Sequence, residues 1–107
     1  MPYRLTRQAQ DEWLAIDAYT IEHWGILAAE ELDAHFQAIF ERIGGWSPPG
    51  RVREEYADRK FKWVSAGKYP FLFVWTEGAT AEDRVIVRIL HSKMEFVSAL
   101  KRTEPWF

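Results

Sequence analysis

The stretch Arg84–Phe96, RVIVRILHSKMEF, decides the reading of this chain. Val85, Val87, Ile89 and His91 alternate with Ile86, Arg88 and Leu90, and both sets are largely apolar and β-branched. A strand that is apolar on both faces is one covered on both sides, the centre of a sheet. Arg88 is the charge within it that needs an account, most simply a partner acid. At His91-Ser92-Lys93 the period breaks, and Met94, Phe96, Val97 and Leu100 fit a short terminal helix ending at Pro105. The polar exit from the strand is the edge where function is expected.

Working outward, Tyr69 to Thr76 forms the preceding strand, with Phe71, Phe73 and Trp75 on one face and Leu72 and Val74 on the other. Pro70 cannot donate to a ladder and belongs at that strand's start or faces away from a neighbouring strand. Glu77 to Glu82 is the turn between the two. Before them, Phe61, Trp63 and Ser65 alternate with Lys60, Lys62 and Val64, and Ala66-Gly67-Lys68 turns the chain. Residues 51–59 show no period and read as a mobile connection or a short helical turn, after a Trp46-to-Gly50 loop rich in proline and glycine.

The front half is helical. Tyr3-Arg4-Leu5 is a short strand and Thr6 a helix N-cap. Ala9, Trp13, Ile16 and Thr20 recur at helical spacing, Leu14 and Tyr19 widen the stripe, and Asp11, Glu12 and Asp17 fall largely outside it. Gly25 ends that helix in the left-handed conformation that glycine favours. Ala29, Leu32, Phe36, Ile39 or Phe40, and Ile43 mark a second helix, closed by Gly44-Gly45, with Glu30, Glu31, Asp33 and Glu41 on its outer face. Helices joined so tightly form an antiparallel hairpin.

A length of 107 residues makes one domain, 1–107. Six tryptophans are too many for so small a core to hide, which places some of them at a partner surface. With no cysteine there is neither a disulfide scaffold nor a thiolate metal site, as befits a reducing cytoplasm. Three histidines without close spacing give no metal site, and no apolar run reaches membrane-spanning length. Residues 1–50 hold three arginines against eight acids, while residues 51–107 hold eleven Lys and Arg against eight acids. That balance argues against direct nucleic-acid binding as the chain's main business.

The fold class is therefore α+β: a β-α-α-β-β-β order with a helical hairpin packed on an antiparallel meander, and a short C-terminal helix. Since both sides of the Tyr69-to-Thr76 strand are apolar, the face away from the hairpin is left bare. A bare apolar face predicts a protein partner that covers it.

The order and spacing of four segments carry a resemblance. Tyr19-Thr20-Ile21-Glu22-His23-Trp24-Gly25, the Pro49-Gly50-Arg51 loop, Gly67-Lys68-Tyr69 and Arg88-Ile89-Leu90-His91-Ser92-Lys93-Met94-Glu95-Phe96 together resemble the ParE branch of the RelE/ParE toxins. In that branch the last motif reads Arg-Ile-Leu-His, a small or polar residue, then Arg-Met-Asp-Phe. Here Lys93 and Glu95 keep the charges of the last arginine and aspartate. The resemblance implies a bacterial type II toxin that needs no cofactor. It also implies neutralisation by a cognate ParD-like antitoxin in a hetero-oligomer, and DNA gyrase as the target.

On that reading the partner-binding residues are Trp63, Phe73, Trp75, Arg88, Lys93, Met94, Glu95, Phe96 and Leu100. His91, Gly25 and Gly67 are structural, with a neutral His91 imidazole bonded to backbone or to Glu95. No residue is expected to be catalytic. The alternative is a RelE-like ribosome-dependent mRNA endonuclease, for which Lys60, Lys62, Arg88 and His91 would supply the cations and the proton transfer. The tail, with Trp106 and Phe107, lacks the terminal tyrosine or histidine of such nucleases. A third reading is a non-toxic relative that acts only as a binding module.

Overall fold

Thr6 joins a strand to a helix and serves both. In a computed structural model, which describes residues 3–56, 58 and 60–106, its amide donates to the Ile86 carbonyl at 3.0 Å and closes the short strand β1 (Tyr3–Leu5). Its hydroxyl accepts from the Ala9 amide at 3.0 Å, capping helix α1 (Arg7–Trp24), and donates to the Val87 carbonyl at 2.8 Å. One side chain thus fixes both where α1 starts and which strand it starts from.

Gly25 ends α1 where expected, but at φ +93° and ψ 171°, an extended positive-φ backbone instead of the left-handed helical one, and its carbonyl receives the Ala29 amide as helix α2 (Ile26–Ile43) begins. The helices pack as a hairpin through an aromatic interior. Phe36 and Phe40 meet Phe73 edge-on at 4.9 and 4.7 Å, and Trp13 meets Phe40 at 5.3 Å. Four residues of the helices lie elsewhere than expected. Leu14 and Tyr19 do not widen the buried stripe; they are exposed. Asp17 does not lie outside it, because it faces Asp33 across the hairpin. Asp33, in turn, leaves the outer face to accept from Trp13 Nε1 at 2.8 Å.

Five strands form one sheet in the order β1-β5-β4-β3-β2: β2 (Arg51–Val52), β3 (Lys62–Ser65), β4 (Phe71–Glu77) and β5 (Arg84–His91) follow in the chain. The β3-β4-β5 meander is antiparallel as expected, and β1 lies parallel to β5 at its open edge. The 51–59 segment begins instead as a strand, Arg51 and Val52 pairing with Trp63 and Lys62. Two residues are too short a run for any period to show. Positions 57 and 59 of that segment, like Phe107 of the tail, lie outside the described residues.

Strict alternation along β5 does not hold. Val74 pairs with Arg88 but Trp75 pairs with Ile86, so Val87 is an extra residue in a β-bulge. Ile86 and Ile89 therefore both join the core beneath the hairpin, with Val64, Phe73 and Trp75. The opposite face is not bare. Helix α3 (Phe96–Lys101) and the segment before β3 close over it, burying Trp63, Val74, Leu90 and Ala99 under Tyr56, Phe61, Phe96 and Leu100. Tyr56, Trp63 and Phe96 form a mutual ring cluster with centroids 5.0–5.4 Å apart. The residues after α3 run back along α1, where Gln8 donates to the Arg102 carbonyl and accepts from the Glu104 amide. Among the described residues, no helix is long and apolar enough to cross a membrane.

Candidate functional site

The centre of β5 is Arg88, 4% exposed. Its partner acid belongs to the same chain: Nη2 reaches Glu12 Oε2 at 2.8 Å and Nε reaches the same oxygen at 3.0 Å. Nη1 donates to the Ala99 carbonyl at 2.6 Å and to Thr103 Oγ1 at 3.1 Å. Glu12 also accepts from the Ile89 amide at 2.9 Å, satisfying β5 where β1 has run out. A guanidinium so enclosed is a joint between α1, β5 and α3. This corrects its assignment as a partner contact or catalytic cation, because its donors face acceptors inside the fold.

At the end of β5, His91 Nδ1 accepts from the Lys93 amide at 3.1 Å, which puts a neutral ring's proton on Nε2. Its ring stands edge-on to Phe71 at 5.4 Å. The Ser92 amide bonds the Pro70 carbonyl at 2.8 Å and the Met94 amide bonds the His91 carbonyl at 3.0 Å, so the exit turn is tied to β4. Glu95 does not bond His91. Its carboxylate accepts from the Val97 and Ser98 amides at 3.2 and 2.9 Å, capping α3. Hydrogen bonds from Ser98, then from Val97, hold that carboxyl below the usual range.

The turn leaves Lys93 and Met94 exposed, and Glu95 exposed but engaged. The other residues expected to meet a partner do not surface. Trp63 is 3% exposed, Trp75 1% and Phe73 0%, and each ring is covered by the chain's own helices. Phe96 and Leu100 are half-buried as part of that cover. The spacing of Phe96, Val97 and Leu100 marks a short terminal helix but not the sheet face it covers, and alternation along β4 does not say which apolar face lies under the hairpin. Gly67 turns at φ +69°, and a Cβ there would lie 3.1 Å from His35 Nε2.

The residues of the nuclease alternative are dispersed. Lys60 lies over Phe61 at 5.2 Å and Lys62 over Trp75 at 5.1 Å. Lys62 pairs opposite Trp75, and His91 opposite Phe71, four residues along the same strand. That separation is about 13 Å along β4, and Arg88 between them is closed off by Glu12. Among the described residues, no group of three or more His, Asp or Glu side chains could hold a metal ion.

One surface feature escaped the sequence reading. A cleft of about 790 Å³ opens between the far halves of α1 and α2 and the end of the sheet. Ala15, Ile16, Tyr19, Thr20 and Trp24 of α1 line it, with Ala28, Glu31 and Leu32 of α2, and Tyr69, Pro70, Phe71 and His91. Its lining is mostly apolar, and the hairpin tip beside it carries exposed Ile21, Trp24, Ile26 and Leu27. Tyr19 stacks on His23 at 4.0 Å. On the rim, Lys68 Nζ meets Glu31 at 2.7 Å; the pair lowers the Glu31 carboxyl and raises the Lys68 ammonium from their ordinary values. The signal in the sequence was the small residues Ala15 and Ala28 on facing helices, which leave space unfilled.

Comparison with known proteins agrees with this architecture. The family model for the ParE toxin of the type II toxin-antitoxin system, parDE, matches residues 3–96. A solved structure described as the chromosomal ParDE TA system from P. aeruginosa is similar, with a TM-score of 0.71 at 16% identity. The match covers 87% of this chain and 97% of that one. No curated protein matches the sequence. The structural likeness establishes the fold, and the family match over most of the chain establishes descent: this chain belongs to the ParE toxin family of type II toxin–antitoxin systems.

Proposed function

We propose that this chain arrests bacterial growth by binding DNA gyrase in the cytoplasm, and that a ParD-like antitoxin neutralises it by occupying its surface in a hetero-oligomer. The action is one of binding, without a catalytic step. The observation that carries the reading is the apolar cleft at the exit of β5, set beside the exposed Lys93 and Met94 on a chain of this family. An uncovered apolar cleft of this kind is a protein-recognition feature. Dispersal of Lys60, Lys62, Arg88 and His91 weighs against the nuclease.

The test is induced expression with and without the antitoxin, paired with a supercoiling assay on purified gyrase. The expected outcome is growth arrest with DNA damage, inhibited supercoiling, and relief of both by antitoxin. Untouched supercoiling at every toxin concentration removes gyrase as the target. Rapid loss of translated messages, abolished by Lys60→Ala with Lys62→Ala, establishes the nuclease instead. Absence of any growth effect leaves a binding module alone.

A further inference from the structure

Trp46 is fully exposed, yet its loop is held firmly. The Ile43 and Gly45 carbonyls accept from Arg84 Nη1 at 2.6 and 3.3 Å, and the Pro49 carbonyl accepts from Trp75 Nε1 at 2.9 Å. Pro48 and Pro49 restrict the backbone between those anchors. An indole presented in this way contributes nothing to the core and loses little freedom when something covers it. Its surroundings are basic: from Arg42 to Arg53 the chain has three arginines and no acid. Arg42 and Arg51 are exposed, and neither forms an ion pair among the described residues.

The other end of the hairpin has the converse character. Between Gln8 and Glu41 the chain carries eight acidic residues and neither lysine nor arginine. There the apolar cleft opens beside Ile16, Trp24 and Ala28, with Glu22 and Glu30 exposed on the adjoining turns. Ala28 and Ile43 stand near the two ends of the 18-residue α2, which separates cleft and loop by about 22 Å. Cleft and loop cannot meet within one molecule, but they can meet between two. An aromatic ring flanked by cations complements an apolar groove flanked by carboxylates. Pairing like ends gains neither match, since cleft on cleft brings acids together and loop on loop brings arginines together. Single-stranded nucleic acid calls for successive stacking rings along a basic groove, and Trp46 is the only exposed ring between Arg42 and Tyr56. We propose that this chain associates head to tail with a second copy of itself. The Trp46 indole of one copy enters the cleft of the next, and Arg42 and Arg51 face Glu22 and Glu30. Such a contact is heterologous, so a dimer keeps a free loop at one end and a free cleft at the other.

The experiment is sedimentation velocity on the purified full chain across a concentration series. Wild-type protein should pass from monomers to dimers and longer species. Trp46→Ala should weaken this association about thirtyfold or more. Ala28→Trp, which fills the cleft, should do the same, and both variants should keep the far-ultraviolet circular dichroism of the wild type. Mixing these two, one with an intact cleft and the other with an intact loop, should give dimers and nothing longer. Arg42→Glu with Arg51→Glu, and separately Glu22→Lys with Glu30→Lys, should each weaken association, and mixing the two charge-reversed chains should restore it. Monomers at every wild-type concentration overturn the proposal and leave both ends to other proteins. So do association that survives Trp46→Ala and a mixture of the Trp46 and Ala28 variants that stays monomeric. If Ala28→Trp loses helix content, the charge-reversed pair decides, because its four positions are exposed; failure to restore association there overturns the proposal equally.

Discussion

Arg88 and Glu12, 76 positions apart in the chain, meet through the 2.8 Å contact of Nη2 with Oε2. Their side chains are 5% and 22% exposed, so each charge is largely removed from water and depends on the other. Removing one partner leaves the second uncompensated. Glu12→Ala should lower the unfolding free energy by about 3–5 kcal/mol, read from urea denaturation. Glu12→Leu combined with Arg88→Met should recover much of that loss, because a well-packed apolar pair removes the buried charge altogether. A double variant no more stable than Glu12→Ala would show that the hydrogen bonds to Ala99 and Thr103 matter more than the ion pair.

Asp17 gives the chain a pH dependence of unusual sign for a carboxyl. Burial, and then the neighbouring Asp33, push it up to about 7. The folded state therefore keeps a proton that the unfolded chain releases near pH 4. The associated stability is fully present below that value and is lost as pH rises towards about 7. Asp17→Asn should raise the melting temperature at pH 8 and flatten its pH profile between 4 and 7. A gain of about 1–2 kcal/mol at pH 8 is expected, after discounting for partial exposure. An unchanged profile would mean that the two carboxyls do not share a proton.

Two glycines with positive φ should respond differently to alanine. Gly25, at φ +93°, has nothing within 4 Å of a built Cβ, so Gly25→Ala meets backbone strain alone. Its cost should be about 1–3 kcal/mol, since φ +93° with ψ 171° is a backbone region nearly reserved for glycine. Gly50, at φ +126°, would place a Cβ 2.9 Å from Trp75 Nε1 and 3.1 Å from Val64. It would also disturb the 2.9 Å hydrogen bond from Trp75 to the Pro49 carbonyl. Gly50→Ala should therefore cost at least about 3 kcal/mol, strain and overpacking together. Equal losses in thermal denaturation would contradict this ranking.

Phe96 tests the cover on the second face. Phe96→Ala should cost about 2–3 kcal/mol, below the full-burial range because the ring is half-exposed. It should also red-shift the emission of Trp63, which the Phe96 ring touches at 5.3 Å. An unshifted emission spectrum would mean that the cover over Trp63 does not depend on this ring.

Local signals made most of the fold legible. Thr6, Gly25 and the three-and-four spacing of Leu32, Phe36 and Ile43 give the hairpin because capping and amphipathicity act within a few residues. Val87 was misplaced because a bulge belongs to a pair of strands, and one strand read alone keeps strict alternation. Glu12 read as solvated because a helical wheel does not know that β5 has an unpaired amide beside it. Trp63 reads as a partner contact because a helix as short as α3 does not register as a cover, and Phe73 and Trp75 do so because alternation along β4 does not tell which of two apolar faces the hairpin takes. The cleft was invisible for the opposite reason, being made of what Ala15 and Ala28 lack.

The hydroxyl of Thr6 waits on residue 87. Because β1 lies parallel against β5, and Arg88 takes acceptors at Ala99 and Thr103, the first strand finds its place only after nearly the whole chain exists. Contacts of such sequence separation are slow to close. A toxin molecule leaving the ribosome therefore displays its hairpin well before its sheet is complete. Any partner that recognises the hairpin alone has first access to it.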